Sequence, residues 1–345
     1  MPQLGYNLDN GKLNLSYSRL QILHRCPRMF QITQLNNHGR RTKSAIFAFG
    51  HAVAAGVQAM LAGHSYERSC MLALAEYDIP DPWEIDKTGR SISKILLALE
   101  KFRIANPLDG WIVPKFRNQH GEVVSGIEFF FQLNIGDDAT YQGHVDAILY
   151  NPEENKFLVL ELKTTGTYHE ETYKNSQQTL GYSLVVDWIV DHSNGLLNIA
   201  DPEQAKASNR VLYFVFDIGA EVWQPLPLLQ MALAKADFIQ SLLLDYQHIK
   251  AMQEVDMFPK NGDSCRNFNR PCEWYNLCDQ QSLTKEKASM SAESAFCIEE
   301  PALIFDVAAV LEQQLAKVSS DVYQTADPIA IPNIQIERDA GDFSL

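Results

Sequence analysis

Apolar side chains recur at helical spacing through the first hundred residues. Leu15, Leu20, Ile22, Leu23 and Phe30 fall on one face behind a cap at Ser16 or Ser18, which predicts a first helix. An Ala-rich stretch over 44–61, interrupted by Gly50 and Gly56, predicts a second. Residues 65–77 and 91–105 predict two more, separated by Pro80 and Pro82 and ended by Asn106-Pro107. The pattern then shortens. Residues 123–135, 141–150 and 156–163 are runs rich in Val, Ile, Phe and Leu, with Gly136-Asp137-Asp138 and Asn151-Pro152 between them, so successive antiparallel strands are expected. A helix over 170–190, a strand over 210–216 and a long helix over 226–252 follow. Residues 256–280 read as a loop, 301–318 as a last helix, and 320–345 as a poorly ordered or docking tail. This order indicates an α/β core inside a helical wrapper.

Composition adds that 345 residues, 46% of them apolar, can bury one or two sizeable cores. The start of the chain lacks a cationic segment followed by an apolar run, and no stretch of about 18 uninterrupted apolar residues occurs, so a cytoplasmic protein without membrane spans is expected. The net charge of −14 argues against a polyanionic partner until its distribution is considered. Residues 1–50 carry seven basic side chains, among them Arg25, Arg28, Arg40, Arg41 and Lys43, against the single acid Asp9, whereas 290–345 carry ten acids against two bases. The basic stretch suits a phosphate track or a solvated helix face equally. Of six cysteines, Cys265, Cys272 and Cys278 share the Pro- and Asn-rich loop, a setting that favours metal over a disulfide framework.

The densest chemistry is Gly143-His144-Val145-Asp146, followed after a turn by Leu160-Glu161-Leu162-Lys163. Period-2 geometry puts Glu161 and Lys163 on one strand face, so two carboxylates and an ammonium can converge at a strand pair. Asp146 and Glu161 offer hard oxygen ligands to Mg²⁺ or Mn²⁺, which would polarise a phosphate and acidify a water, while Lys163 orients that water or stabilises developing charge. A surface strand pair with a cross-strand salt bridge carries the same residue types. Gln178 and Tyr182, one helical turn apart, share a face nearby.

These residues resemble the PD-(D/E)XK nuclease superfamily, whose pattern is an Asp at the end of one strand and Glu-x-Lys on the next. Gln178-Thr179-Leu180-Gly181-Tyr182 is similar to the Gln-x-x-x-Tyr motif of its RecB-like branch. The resemblance implies a catalytic set of Asp146, Glu161, Lys163, Gln178 and Tyr182, with Glu128 as a further acid ahead of the core. It also implies a metal-binding histidine in an early helix; Gly-x-x-x-His would place it at position 54, where this chain has Ala54, so His51 is the candidate. The branch often carries an iron-sulfur cluster held by one cysteine before the core and three after it, which here implies Cys26 with Cys265, Cys272 and Cys278 around a [4Fe-4S] cluster, with Zn²⁺ as the alternative.

The expected architecture is a restriction-endonuclease-like mixed sheet flanked by helices. It comprises a helical part (1–110), the nuclease core (111–255), a cysteine-rich loop (256–280) clamping the two ends of the fold, and an acidic extension (281–345). The expected activity is a metal-dependent DNA exonuclease, with a catalytically silent DNA-binding or assembly subunit as the alternative. Arg25, Arg28, Arg40, Arg41 and Lys43 are the expected DNA contacts, with Tyr17, Phe30, Phe47, Tyr168 and Tyr173 as candidates for stacking single-stranded bases. The acidic tail could dock a protein partner.

Overall fold

A computed structural model describes residues 12–35, 44–117, 120–174, 176–192, 199–267, 270–272, 274–275, 278 and 303–319. The chain opens with a short strand, β1 (Leu13–Leu15), before α1 (Tyr17–Arg25), so Leu15 belongs to the sheet and not to the expected helix. A three-residue strand is too short to show a period, and Ser16 begins the helix directly behind it by accepting the Arg19 N–H. Cys26 is extended (φ −164°, ψ 110°) and ends α1, and Pro27 opens α2 (Pro27–Phe30) at the position where a missing N–H costs nothing.

Four helices follow: α3 (Ala45–Leu61), α4 (Tyr66–Glu76), α5 (Pro82–Thr88) and α6 (Ile92–Ala105). Ser44, Ser65 and Ser91 cap α3, α4 and α6 through side-chain bonds to backbone N–H groups. The Pro80 and Pro82 break contains the unexpected α5, which starts on Pro82 and stops at the left-handed Gly89.

A small hairpin, β2 (Lys115–Arg117) with β3 (Val123–Ser125), precedes the long strands β4 (Ile127–Gly136), β5 (Ala139–Asn151) and β6 (Lys156–Thr165). The expected single strand over 123–135 is therefore broken at Gly126. There the Ile148 N–H donates to the Gly126 carbonyl at 2.7 Å, and a Cβ at 126 would stand 2.7 Å from the Ile148 carbonyl oxygen. The helix expected over 170–190 divides into α7 (Glu171–Lys174) and α8 (Gln178–Asp191). Then come α9 (Pro202–Ser208), β7 (Arg210–Asp217) and β8 (Val222–Leu228). Leu226 lies in β8, and the long helix, α10 (Ala232–Glu254), starts later than expected. β8 accommodates Pro225 and Pro227 because it is an edge strand and needs ladder donors on one side only. The cysteine-bearing loop holds a minimal hairpin, β9 (Arg266–Asn267) with β10 (Arg270–Pro271). The last expected helix begins instead with β11 (Leu303–Asp306), followed by α12 (Val307–Ser319).

The main sheet has seven strands in the order β11-β4-β5-β6-β7-β8, with β1 also on β5. β5 is antiparallel to both β4 and β6, as expected of successive strands; β6 and β7 are parallel, as are β11 with β4 and β1 with β5. One sheet face packs on α3, α4 and α6 through Phe49, Val53, Leu99, Leu149, Leu160 and Phe214. The other packs on α1, α8, α10 and α12 through Leu23, Val145, Val159, Leu184, Phe238 and Val310. This is the expected mixed sheet flanked by helices. No helix among the described residues is long and apolar enough to cross a membrane.

The C-terminal helix docks over a buried ion pair. Lys235 on α10 meets Asp187 on α8 at 2.7 Å, and Gln314 on α12 donates to the same Asp187 oxygen at 3.1 Å. Lys235→Ala would leave the Asp187 carboxylate buried without its cation, which costs about 3–5 kcal/mol. Urea denaturation is expected to show that loss, whereas breaking an exposed, solvent-screened pair such as Arg103–Glu100 should leave the midpoint nearly unchanged.

Candidate active site

The ladder between β5 and β6 ends at Ala147↔Leu160. Beyond that pair β6 stays with β7, matching Glu161 to Tyr213 and Lys163 to Val215, while the far end of β5 turns the same edge to β1 at 139–141. A fork opens between the strands, and Asp146 and Glu161 sit at its apex. The Asp146 carboxylate accepts the Leu162 N–H at 2.6 Å, taking the place of the missing strand carbonyl.

Across β5, Asp146 faces Glu128, between the pairs Ile127↔Ala147 and Phe129↔Val145. Residues two apart in a strand normally share a face. Here Ile127 and Ala147 pack toward α3, whereas Phe129 and Val145 pack toward α8, so both strands change face at Glu128 and Asp146. Glu128 makes the change with a positive φ of 48°. A non-glycine residue held there costs about 1–3 kcal/mol and persists only where its surroundings enforce it.

Glu161 is 2% exposed. Its Oε1 receives Lys163 Nζ at 2.5 Å and Gln178 Nε2 at 3.0 Å, while its Oε2 is buried with no hydrogen-bond partner among the described residues. Gln178 is itself fixed. Its Nε2 also donates to the Tyr182 hydroxyl at 2.7 Å, and its Oε1 accepts from Tyr213 at 3.3 Å. Tyr182 donates to the His144 carbonyl at 2.7 Å and packs edge-on against Phe131, so its hydroxyl is committed within the protein and ties α8 to β5.

Burial, then the charge of Glu161, pushes the Asp146 carboxyl well above the usual carboxylate range, against the pull of Lys163 and the Leu162 N–H; Glu128 adds to the push. Burial likewise raises Glu161, opposed by Lys163. Burial works against the Lys163 charge, but Glu161 and Asp146 outweigh it and hold the ammonium above its ordinary value. Lys163 donates to Glu161 as an ammonium in this arrangement.

The donor set fits a hard divalent cation. Mg²⁺ takes one or two carboxylates and completes its octahedron with water and substrate phosphate, and here two repelling carboxylates meet with one buried oxygen left over. Among the described residues, no three His, Cys, Asp or Glu side chains gather into a complete metal cage. His51 is exposed on α3 and is not drawn into a ligand set with Asp146 and Glu161.

Two residues at the site escape the sequence patterns. Gln58 on α3 is buried and donates from Nε2 to Glu128 Oε1 at 2.5 Å and to the Asp146 carbonyl at 3.3 Å. Apart from His51 it is the only polar side chain in α3, and that isolation is the signal that could have found it. Tyr213 lies inside an apolar strand and carries no such signal.

The four expected cluster cysteines line one cavity with Met29, Ile32 and Trp274. Burial raises the Cys278 thiol, against Lys260 and Arg28. Their thiols do not form a ligand group among the described residues, and the joint between the two ends of the fold is made by hydrogen bonds. Arg28 N–H donates to the Pro259 carbonyl at 3.1 Å, while Asn261 and Ser264 donate to the Arg25 carbonyl at 2.9 and 2.8 Å. Arg25 is exposed and Arg28 half-buried in the cysteine cavity wall; Arg40, Arg41, Lys43 and the tail over 320–345 lie outside the described residues. Phe30 is fully buried, which removes it from the stacking candidates, whereas Phe47 is exposed. Tyr168 and Tyr173 stack on each other at 5.9 Å.

The raised Asp146 carboxyl sets a pH dependence. The folded state holds its proton more tightly than the unfolded state, so this group lowers stability as pH rises from the ordinary carboxylate value through the folded one. In EDTA, Asp146→Asn is expected to raise Tm by a few degrees at pH 8 relative to wild type. The gain should shrink as pH falls toward about 4. An equal effect at both ends, in a thermal-denaturation pH series, would contradict the shift.

A profile of the PD-(D/E)XK nuclease superfamily matches residues 14–279. No curated protein matches the chain. Among solved structures, a crystal structure from Eubacterium rectale described as a "Putative exonuclease" aligns with 79% of this chain and 95% of its own, at 11% identity and a TM-score of 0.42. With its profile match spanning both the fork of β5 and β6 and the cysteine cavity, this chain belongs to the PD-(D/E)XK nuclease superfamily.

Proposed function

We propose that the chain is a metal-dependent deoxyribonuclease that hydrolyses phosphodiester bonds as an exonuclease at DNA ends, in recombination, repair or phage DNA metabolism. The observation that carries the reading is the unpartnered, buried Glu161 oxygen beside the repelled Asp146 carboxylate and the Lys163 ammonium. Asp146 and Glu161 would hold Mg²⁺ or Mn²⁺, which when bound supplies a Lewis acid for the phosphate and acidifies a water. Lys163, its side chain 38% exposed, can reach solvent and orient the attacking water or meet charge developing on the phosphate oxygens. Gln178 and Tyr213 keep Glu161 aimed while it does so. Arg25 and Arg28, with Arg40, Arg41 and Lys43, would track the DNA backbone. The exonuclease reading, and single-stranded or free-ended DNA as its substrate, rest on the likeness to the RecB-like branch.

The test is cleavage of end-labelled single- and double-stranded DNA with Mg²⁺ or Mn²⁺. Wild type is expected to release products from an end, and Lys163→Ala to lose about 10²–10³-fold in rate. Internal cutting would refute the exonuclease reading, and metal-independent cutting unaffected at Lys163 would refute the site.

The cysteine cavity supports a second part of the same reading. Cys26, Cys265, Cys272 and Cys278 would hold a [4Fe-4S] cluster, or Zn²⁺, joining the two ends of the fold. Anaerobically purified wild type is expected to contain iron and acid-labile sulfide and to be brown, and Cys26→Ala to lose all three. Zinc in their place would convert the assignment, and a metal-free, stable wild type would remove it.

A further inference from the structure

The buried amide of Gln58 spans the two strands at their shared change of face. One Nε2 hydrogen goes to the Glu128 carboxylate at 2.5 Å, the other to the Asp146 carbonyl at 3.3 Å. The amide joins the side chain of one acid to the backbone of the other, across a cross-strand pair in which Glu128 already occupies a left-handed conformation. α3 lies on the opposite sheet face from α8, so Asp146 and Glu128 are held from one side while Gln178 holds Glu161 from the other.

We infer that Gln58 is a positioning residue of the nuclease site: its amide pins Glu128 in the strained conformation that carries the carboxylate to Asp146, and Glu128 thereby becomes a working member of the acidic cluster. The inference rests on the nuclease reading and names the residue through which α3 serves it. His51, the other polar residue of this helix, is exposed one turn short of Ala54, whereas Gln58 lies one turn beyond Ala54 and reaches the acids. The strain at Glu128 has a use in this arrangement, because an unstrained Ile127–Glu128–Phe129 segment would keep Ile127 and Phe129 on one face.

A double-mutant cycle tests it. Gln58→Leu keeps the side-chain bulk and removes both bonds, with Gln58→Met as a second variant should Leu fold poorly. Glu128→Gly removes the carboxylate and tolerates the positive φ. Glu128→Gly is expected to be at least as stable as wild type in EDTA, because the strain is relieved, while losing about 10²-fold in cleavage rate and part of the thermal shift given by Mn²⁺. Gln58→Leu should give a similar loss, and the double variant no more than the larger single one. Losses that multiply, or a Glu128→Gly protein that cleaves and responds to Mn²⁺ as wild type does, would overturn the inference. A wild type that does not cleave would defeat the nuclease reading instead, and the same cycle read through the Mn²⁺ thermal shift would still decide the role of Gln58.

Discussion

Where β5 and β6 part, an aspartate takes a hydrogen bond that a strand carbonyl would otherwise accept, and the rest of the site follows from that substitution. By receiving the Leu162 N–H, Asp146 keeps the fork from leaving an unsatisfied donor and brings its carboxylate next to Glu161. The same bond stabilises the charge it carries, but burial and the neighbouring acids prevail, so the fork is a place of stored repulsion. Lys163 offsets part of it through Glu161. One buried oxygen of Glu161 remains unsatisfied, and a hard cation is the group whose charge and ligand preference suit that remainder.

The central elements were legible because their signals are local. Runs rich in Val, Ile, Phe and Leu between turn formers mark β5 and β6, and period-2 spacing gives Glu161 and Lys163 a common face; apolar residues at helical spacing mark α3, α4 and α6, which the structure shows capped by serines. Edge elements were not. β8 carries two prolines that read against a strand, and its place at the sheet edge is a tertiary fact. β11 is four residues that pair with β4 across more than 160 positions of chain, and in the sequence it merges with the helix it precedes. Within the site, the sequence motifs contain the acids, Lys163, Gln178 and Tyr182, but neither Gln58 nor Tyr213, which bond to Glu128 and Gln178. The resemblance implies Glu128 as a further acid, but nothing in Gly126-Ile127-Glu128-Phe129 announces its left-handed backbone.

Charge distribution bears on how a chain of net charge −14 can meet a polyanion. The fork gathers three acids, Asp146, Glu161 and Glu128, against one ammonium, Lys163, so its side chains alone offer a phosphate little attraction. A divalent ion held by Asp146 and Glu161 would supply the positive field that these side chains lack. Much of the remaining excess of acid lies in 290–345, away in sequence from the basic residues over 1–50. Net charge is thus a poor guide here, and its partition along the chain the better one.

Each carboxylate is oriented by a different element: Asp146 by the β6 backbone, Glu161 by Gln178 at the start of α8, and Glu128 by Gln58 on α3. The two helices press on opposite faces of one sheet, so the distances among the acids report how both helices sit on it. Tyr182 ties α8 back to the His144 carbonyl, two residues before Asp146, and closes the circuit on that side. A site assembled this way tolerates little independent motion of either helix, since a shift of about an ångström is enough to spoil alignment of reacting groups. The dense apolar packing of Phe49, Val53 and Val57 on one face and of Leu184, Val185 and Val186 on the other thereby serves the chemistry as well as the fold.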